Sequence, residues 1–490
     1  MTEISSTIAG SGGVNDALSS RAPVLWEDRV YTSYHSIFLT FIAISAASYS
    51  YLVGAALIGV GATRLGILGY LIGLVLGIGF VSLAGGSLSF RYGVDTVDAG
   101  KASLGTRGSA ALLVGVLVCT LGWAYVLLAM TARASLHLFE LGGAATHGVQ
   151  ADVEVIGVAL GLLLAIWFVL KRGVLSMESV ANYCAGAQLI IAVSLFTLIV
   201  VHYDATKAWM LQAPPSQAYS SDRMTQLTYA VEFGICNALG MLPYMGGLSR
   251  LVKHSRHLVG PAILGYAVCG AAFIAAVGAL ATAVTGELDP GVWILEIAGS
   301  TAGSLLLAVM LIANLGALVA QIYLAGIAAQ QVRWVARLHW RLIVGLMLAP
   351  GVIVAFNTQW AIDHVMNWLA YNGVLFVGLA SVLFVDFFFL RRERVVVAQL
   401  FEAQPGGLYW FWGGVNWIAV AVVGGSVALY LCLFDPVTLR AAPVFRYAGA
   451  SIPTIAASCA LYYTLMRWAL RHRDLAGYRI VPVQSTDMKM

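Results

Sequence analysis

The sequence predicts an all-α polytopic membrane protein with about 12 transmembrane helices. Three observations predict it. First, 60% of the residues are hydrophobic and only 10% are charged, where soluble domains carry about 25% charge. A mean hydropathy of +0.86 leaves more apolar surface than a buried core can absorb, so much of it must face lipid. Second, mostly apolar runs of about 20 residues, enough to cross a bilayer, recur along the whole chain. Third, the basic residues sort to alternate loops once those runs are taken as spans. Together these exclude a soluble globular enzyme, a disordered chain and a coiled coil. A nucleic-acid partner is excluded as well, because a net charge of +4 carried by scattered residues attracts no polyanion.

In chain order, residues 1–24 are Gly/Ser-rich with no basic stretch ahead of an apolar one. They read as a flexible tail, not a cleaved signal. The spans follow at 33–60, 66–90, 108–138, 152–170, 180–203 and 227–249. The second six are 258–285, 301–328, 340–357, 361–390, 410–434 and 446–470. Short Gly-rich or charged loops separate them, leaving no room for a soluble domain. An even number of spans puts both termini on one side. That side holds 21 of the 27 Lys and Arg residues, among them Arg91, Lys101, Arg250, Arg333 and Arg391. By the positive-inside rule both termini are cytoplasmic, in a multi-pass protein of the plasma (inner) membrane.

Spanning helices satisfy their own backbone, so a break in one is informative. The strongest break signal lies in the sixth span at 240–247, where Gly240, Pro243, Gly246 and Gly247 disfavour a continuous helix. Unwound backbone there would offer free N–H and C=O groups to a ligand. A softer signal lies in the first span at 42–51, a cluster of small and hydroxyl residues around Ser45, Ala46, Ala47 and Ser48. Small residues also serve simple helix packing.

Ionisable groups are sparse at depth. Glu232 lies in the outer part of the sixth span, Glu296 follows a loop before the eighth, and Asp386 ends the tenth next to Arg391 in the manner of an interfacial ion pair. An acid within a span is a functional candidate by default, and Glu232 leads. No Arg or Lys is placed to hold a carboxylate or phosphate, which favours a neutral ligand. Trp123, Tyr125, Asn237, Asn314, Gln321, Tyr371 and Asn372 supply aromatic faces and amides at mid-depth, and that combination suits a small polar ring. The six cysteines read as small buried hydrophobes. His254 and His257 read as solvated, and no histidine spacing suggests a metal. No cofactor is expected, and no nucleotide-binding or hydrolytic motif appears.

Two stretches carry a family resemblance. One is Phe90, Arg91, Tyr92 and Gly93 followed by Leu104, Gly105, Thr106, Arg107, Gly108 and Ser109. The other begins at Asp386, runs through Phe387, Phe388, Phe389, Leu390, Arg391 and Arg392, and ends with Tyr409, Asn416 and Trp417. Both resemble the nucleobase:cation symporter-1 family, with likeness from about Arg29 to about Trp417. The resemblance implies a LeuT-type fold of two inverted five-helix repeats at 25–205 and 225–392. Two further helices would occupy 408–472, with tails at 1–24 and 473–490. It implies breaks in helices 1 and 6, and helices 1, 2, 6 and 7 rocking against helices 3, 4, 8 and 9.

By the same resemblance Trp123 is the ring on which the substrate stacks, and Gly240 sits at the helix-6 break. Other positions depart from the family. Its second stacking tryptophan falls at Met241, its helix-3 glutamine at Leu127, its helix-1 glutamine near Ala46, next to Ser45, and its helix-8 asparagine near Ile322. Gln321 and Asn237 remain as neighbouring amides. The family's sodium ligands map to the carbonyls of Ile42, Ser45 and Ala313 and to hydroxyls at Gly316 and Ala317, which have none. A hard cation needs several oxygens, so the site is expected to be vestigial and proton coupling through Glu232 is expected instead.

The expected function is secondary active import of a small neutral heterocycle, nucleobase-, hydantoin- or allantoin-like, by alternating access in the lipid bilayer. A carrier of the same fold for another small solute, such as an amine or amide, is the alternative. A pore would need a continuous polar stripe, and a sensor would not move its ligand.

Overall fold

The computed structural model describes residues 22–141, 149–171, 174–213, 218–472 and 478. The two expected tails lie outside these, apart from residues 22–24 and 478. Among the described residues the secondary structure is helical, with only isolated β-bridges. Lipid dictates this, since helices pair every backbone group within one segment.

The first span is two helices, α1 (Tyr34–Ser45) and α2 (Ser48–Leu57). Ser33 caps α1 by accepting the Ser36 N–H at 3.2 Å. The α1–α2 pair bends by 61° at the break. Next is α3 (Thr63–Val81), prolonged by a π turn and a helical stretch to Tyr92 and ended by Gly93 at φ 70. A short helix, α4 (Thr96–Leu104), is capped by Asp95. Then come α5 (Ser109–Ala134), α6 (Val149–Leu170) and α7 (Val174–His202).

The sixth span is α8 (Arg223–Leu239) and α9 (Leu242–Ser249). It is followed by a π-helical stretch, Ala262–Ala272, leading into α10 (Phe273–Thr285). Helix α11 (Pro290–Ala329) turns at Gly299, φ 77. The last four are α12 (Trp340–Ala355), α13 (Val365–Val385), α14 (Trp417–Leu433) and α15 (Ser451–His472). Among the described residues seven helices are long and apolar enough to span, the bent α1–α2 pair makes an eighth, and α12 and α14 are shorter apolar helices. This order accommodates the 12 expected crossings.

Three expectations need correction, one of them His257, which is buried rather than solvated. The sixth span does not unwind over 240–247. Only Gly240 and Met241 interrupt it, and both keep near-helical dihedrals (φ −59, ψ −13 and φ −83, ψ −11). Pro243 stands in the first turn of α9, where its missing N–H costs nothing, and the glycines beyond it remain helical. Cys432 is exposed rather than buried.

Glycines set the helix crossings. A Cβ on Gly73 would lie 2.0 Å from the Val231 carbonyl oxygen, and one on Gly234 would lie 2.3 Å from that of Tyr70, so α3 and α8 touch backbone to backbone. Gly54 and Gly278 do the same for α2 and α10, at 1.9 Å from Ala275 O and 2.3 Å from Tyr51 O. Small residues permit such approach in membrane proteins, where dispersion replaces the hydrophobic drive.

Candidate functional site

The break in the first span is closed by its own hydroxyls. Ser45 Oγ donates back to Phe41 O at 2.9 Å, tightening the last turn of α1. Ala46 (ψ 45) and Ala47 (φ −101, ψ 168) then leave the helix. The carbonyls this frees accept from the next helix: Ser50 Oγ donates to Ser45 O at 2.5 Å, and Tyr49 OH donates to Ile44 O. The first N–H of α2, on Ser48, donates to Asn314 Oδ1 of α11 at 3.2 Å.

Against this break lies a small cavity. Ile44 and Tyr49 line it from the first span, and Trp123 from α5. Asn237, Gly240, Met241 and Tyr244 line it from the sixth, Tyr266 from the π-helical stretch, and Gln321 from α11. The rings of Tyr49 and Trp123 are 5.1 Å apart at 47°. Asn237 is held by Tyr70 and Tyr266, whose hydroxyl donates to its Oδ1 at 3.0 Å. Gln321 is buried and leaves its amide oxygen without a partner. Gly240 packs closely on α13, where a Cβ would meet Asn372 Nδ2 at 2.8 Å and push that amide aside. Among the described residues no Asp, Glu, Lys, Arg or His lines the cavity. As it stands the space is about that of one water molecule. A ring-sized solute enters only if the walls part.

Five expected site residues therefore meet at one place: Trp123, Asn237, Gly240, Met241 and Gln321. Four others are buried but do not line the wall. Ser45 turns its hydroxyl onto α1, and Ala46 forms the break without facing the cavity. Leu127 packs into the core beyond Trp123. Ile322, next to Gln321, is turned by about 100° around the helix. The tyrosines at 49, 244 and 266 were missed. The first two lie inside the segments whose sequence signalled a break, so their place was readable although their role was not. Tyr266 had no signal. Of the other mid-depth residues, Tyr125 donates to Met347 O and Tyr371 is partly exposed.

The residues expected to be a degraded sodium site, Ile42 and Ser45 on α1 and Ala313, Gly316 and Ala317 on α11, are all buried. Beside them Asn314 ties the helices together. Its Nδ2 donates to Ser48 Oγ at 2.7 Å and to Thr131 Oγ1 of α5 at 2.9 Å. Its Oδ1 accepts from Ser48 N and, at 3.0 Å, from Gln188 Nε2 of α7. One neutral amide thus joins four spans.

Glu232 is not part of the cavity wall. It points to the start of α15, where its carboxylate accepts from Ala450 N at 2.9 Å and from Ser451 N at 3.1 Å. Ser451 Oγ donates to it at 2.5 Å and Tyr430 OH at 2.8 Å. These are the orphan N–H groups of a helix N-terminus, where a carboxylate is favoured by the dipole. The expected role as proton carrier finds no support in this geometry; Glu232 anchors α15 to α8. Glu296 is exposed on the segment before Gly299. Asp386 does form the expected ion pair, 2.6 Å from Arg391 Nε, and also accepts from Ser103 Oγ at 3.0 Å and Tyr462 OH at 3.0 Å.

Residues 36–450 match the family model described as a permease for cytosine/purines, uracil, thiamine and allantoin. A hydantoin permease of Microbacterium maritypicum is 32% identical over 95 residues, which is 19% of this chain and 17% of that relative; the match thus spans less than a fifth of that protein's length. Among solved structures, Mhp1, a nucleobase-cation-symport-1 family transporter, in a closed conformation with bromovinylhydantoin bound, has a TM-score of 0.72 at 16% identity, covering 94% of this chain and 98% of that one. Its inward-facing conformation has a TM-score of 0.73 at 15% identity, covering 93% and 94%. A Na⁺-coupled sialic acid symporter in an outward-open state has a TM-score of 0.57 at 11% identity, covering 94% and 98%. At these identities the structural likeness establishes the fold, an all-α LeuT-type membrane architecture. With the family model matched over most of its length, the chain belongs to the nucleobase:cation symporter-1 family of membrane transporters.

Proposed function

We propose that this transporter imports a small, neutral, flat heterocycle of the nucleobase, hydantoin or allantoin kind, by alternating access and without sodium. The observation that carries this is the cavity wall. Trp123 with the rings of Tyr49, Tyr244 and Tyr266 offers faces for stacking, the unpaired oxygen of Gln321 asks for an N–H donor, and among the described residues no charged side chain lines the cavity to demand a charged ligand. Sodium independence is supported by Gly316 and Ala317, which bring no oxygen in their side chains, and by the Asn314 amide, which already joins α11 to the break in the first span. With sodium set aside, a proton is the coupling ion this reading carries. The 21 basic residues on one side support placing that end, and both termini, in the cytoplasm.

The test is thermal stability of the purified protein with nucleobases, hydantoins, allantoin and small amines, in sodium-free buffer and again with sodium. A ligand bound to the folded state alone raises the melting temperature. A flat heterocycle that does so equally with and without sodium supports the proposal. A shift that requires sodium overturns the coupling part. A second reading, an amine substrate, is favoured by the same box of aromatic rings, since such rings also attract cations. A hit confined to the amines would select it.

A further inference from the structure

We infer that the buried Asp95–Asp98 pair is a proton-binding latch that holds the basic end of the transporter closed. This end is the one that carries most of the Lys and Arg residues. The inference concerns the exit path and does not depend on which solute fills the cavity.

The pair sits where three elements meet. Asp95 caps α4, its Oδ1 accepting the Asp98 N–H at 2.8 Å. Gln331, just beyond α11, donates to Asp98 Oδ2 at 2.7 Å and to Asp95 Oδ1 at 3.3 Å. Lys101 Nζ lies 2.5 Å from Asp98 Oδ1. Thr96, between them in sequence, donates its hydroxyl to Pro243 O of α9 and accepts the Gly246 N–H, both at 3.0 Å. Arg250, just past α9 and fully buried, donates to Tyr323 OH of α11 at 3.3 Å. Thus α4 is fastened to α9 by Thr96 and to the end of α11 by the two carboxylates, while Arg250 links α9 to α11 directly. If the sixth span moves relative to the eighth, these contacts must part.

The groups facing Asp95 are Asp98 from its own helix, itself paired with Lys101, Arg250 from the end of α9, and the neutral Gln331 from beyond α11. Both aspartates are buried, at 3% and 0% exposure. Burial first, and the charge of Asp98 second, raise the Asp95 carboxyl to about 7, with Arg250 and the Asp98 N–H pulling the other way. When the end opens, water reaches the pair and Asp95 returns toward the ordinary value of 3.8. The closed form therefore binds a proton that the open form releases. The sign follows: the closed form is favoured most in acid, loses ground as the pH rises toward about 7, and changes little above it.

The experiment is amide hydrogen exchange on the full-length purified protein between pH 6 and 8, corrected for intrinsic exchange with the unfolded chain and followed over residues 94–104 and 246–253. No solute is added, so a failure here is separate from a failure to bind a heterocycle. Opening should increase about fivefold from pH 6 to 7 and less than about twofold from pH 7 to 8. Asp95→Asn should stay as protected at pH 8 as the wild type is at pH 6. Gln331→Ala, which leaves both carboxylates in place, should open these segments at pH 6. A flat wild-type profile overturns the latch, as does an Asp95→Asn protein that keeps the wild-type rise. If Asp95→Asn does not fold, the wild-type profile and Gln331→Ala decide the matter, and unchanged protection in Gln331→Ala overturns it.

Discussion

Replacing Glu232 by glutamine separates an anchoring role from a carrier role. The carboxylate accepts from two backbone N–H groups and two hydroxyls at the start of α15. Glutamine can keep one oxygen on the Ala450 and Ser451 N–H groups, but its NH₂ then faces the Ser451 and Tyr430 hydroxyls, which must turn from donating to accepting. Four hydrogen bonds to a carboxylate become neutral ones, each at a cost of about 1 kcal/mol, and the favourable charge at the helix N-terminus goes with them. A loss of about 3–6 kcal/mol is expected. The steric surroundings allow little relaxation, since a Cβ on Gly449 would lie only 2.4 Å from Glu232 Oε2. The assay pairs a melting curve in detergent with uptake measured across pH in proteoliposomes. Glu232→Gln should melt well below the wild type, while the protein that survives keeps the wild-type pH profile. A variant of unchanged stability whose uptake no longer responds to pH would refute the anchor and restore Glu232 as a carrier.

Four further outcomes are expected. Trp123→Ala should weaken binding of a heterocycle by about 1–3 kcal/mol, about five- to 150-fold, read by calorimetric titration of the folded protein, and should also lower the melting temperature of the ligand-free protein, since a buried tryptophan truncated to alanine costs about 3–5 kcal/mol. Asn314→Ala should cost about 1–3 kcal/mol for each buried partner left unpaired among Ser48, Thr131 and Gln188, seen as a lowered melting temperature, whereas Gly316→Ser with Ala317→Thr should make ligand binding respond to sodium. Gly54→Ala should abolish the folded protein in size-exclusion profiles, because its methyl would overlap the Ala275 carbonyl by more than a packed core absorbs.

The spans were legible because lipid imposes one rule on all of them, and apolar length is read without knowing any contact. The breaks were less so, and in an instructive order. The Gly/Pro-rich segment of the sixth span promised the larger disruption but yields two residues, since Pro243 falls in a first turn where helices tolerate it. The first span carries no Pro and no Gly before Gly54, yet it bends by 61°. Its break depends on Asn314 and on Tyr49 and Ser50 receiving the freed backbone groups. Those partners are distant or subtle in sequence, so no local propensity announces them. Glu232 misled for a related reason: an acid within a span is uncommon enough to suggest chemistry, while its partners at 430, 450 and 451 lie some 200 residues away. Trp123 and Gly240 reached the cavity because family likeness carried them there; Tyr266 is an ordinary membrane-helix tyrosine until the fold turns it inward.

The glycine contacts between α3 and α8 bear on mechanics. At Gly69, Gly73 and Gly77 on one helix and at Gly234 on the other, a Cβ would lie within 2.6 Å of an atom of the facing helix. Surfaces meshed this way, turn after turn, resist both sliding and rolling, for any displacement drives one main chain into the next. The two helices must therefore travel as a single beam, and the α2–α10 pair is meshed in the same manner. Compliance is left to seams where long side chains meet, as where Arg250 reaches Tyr323. Such a machine has its stiff parts written in residues that have no side chain, and its joints in those that have the longest.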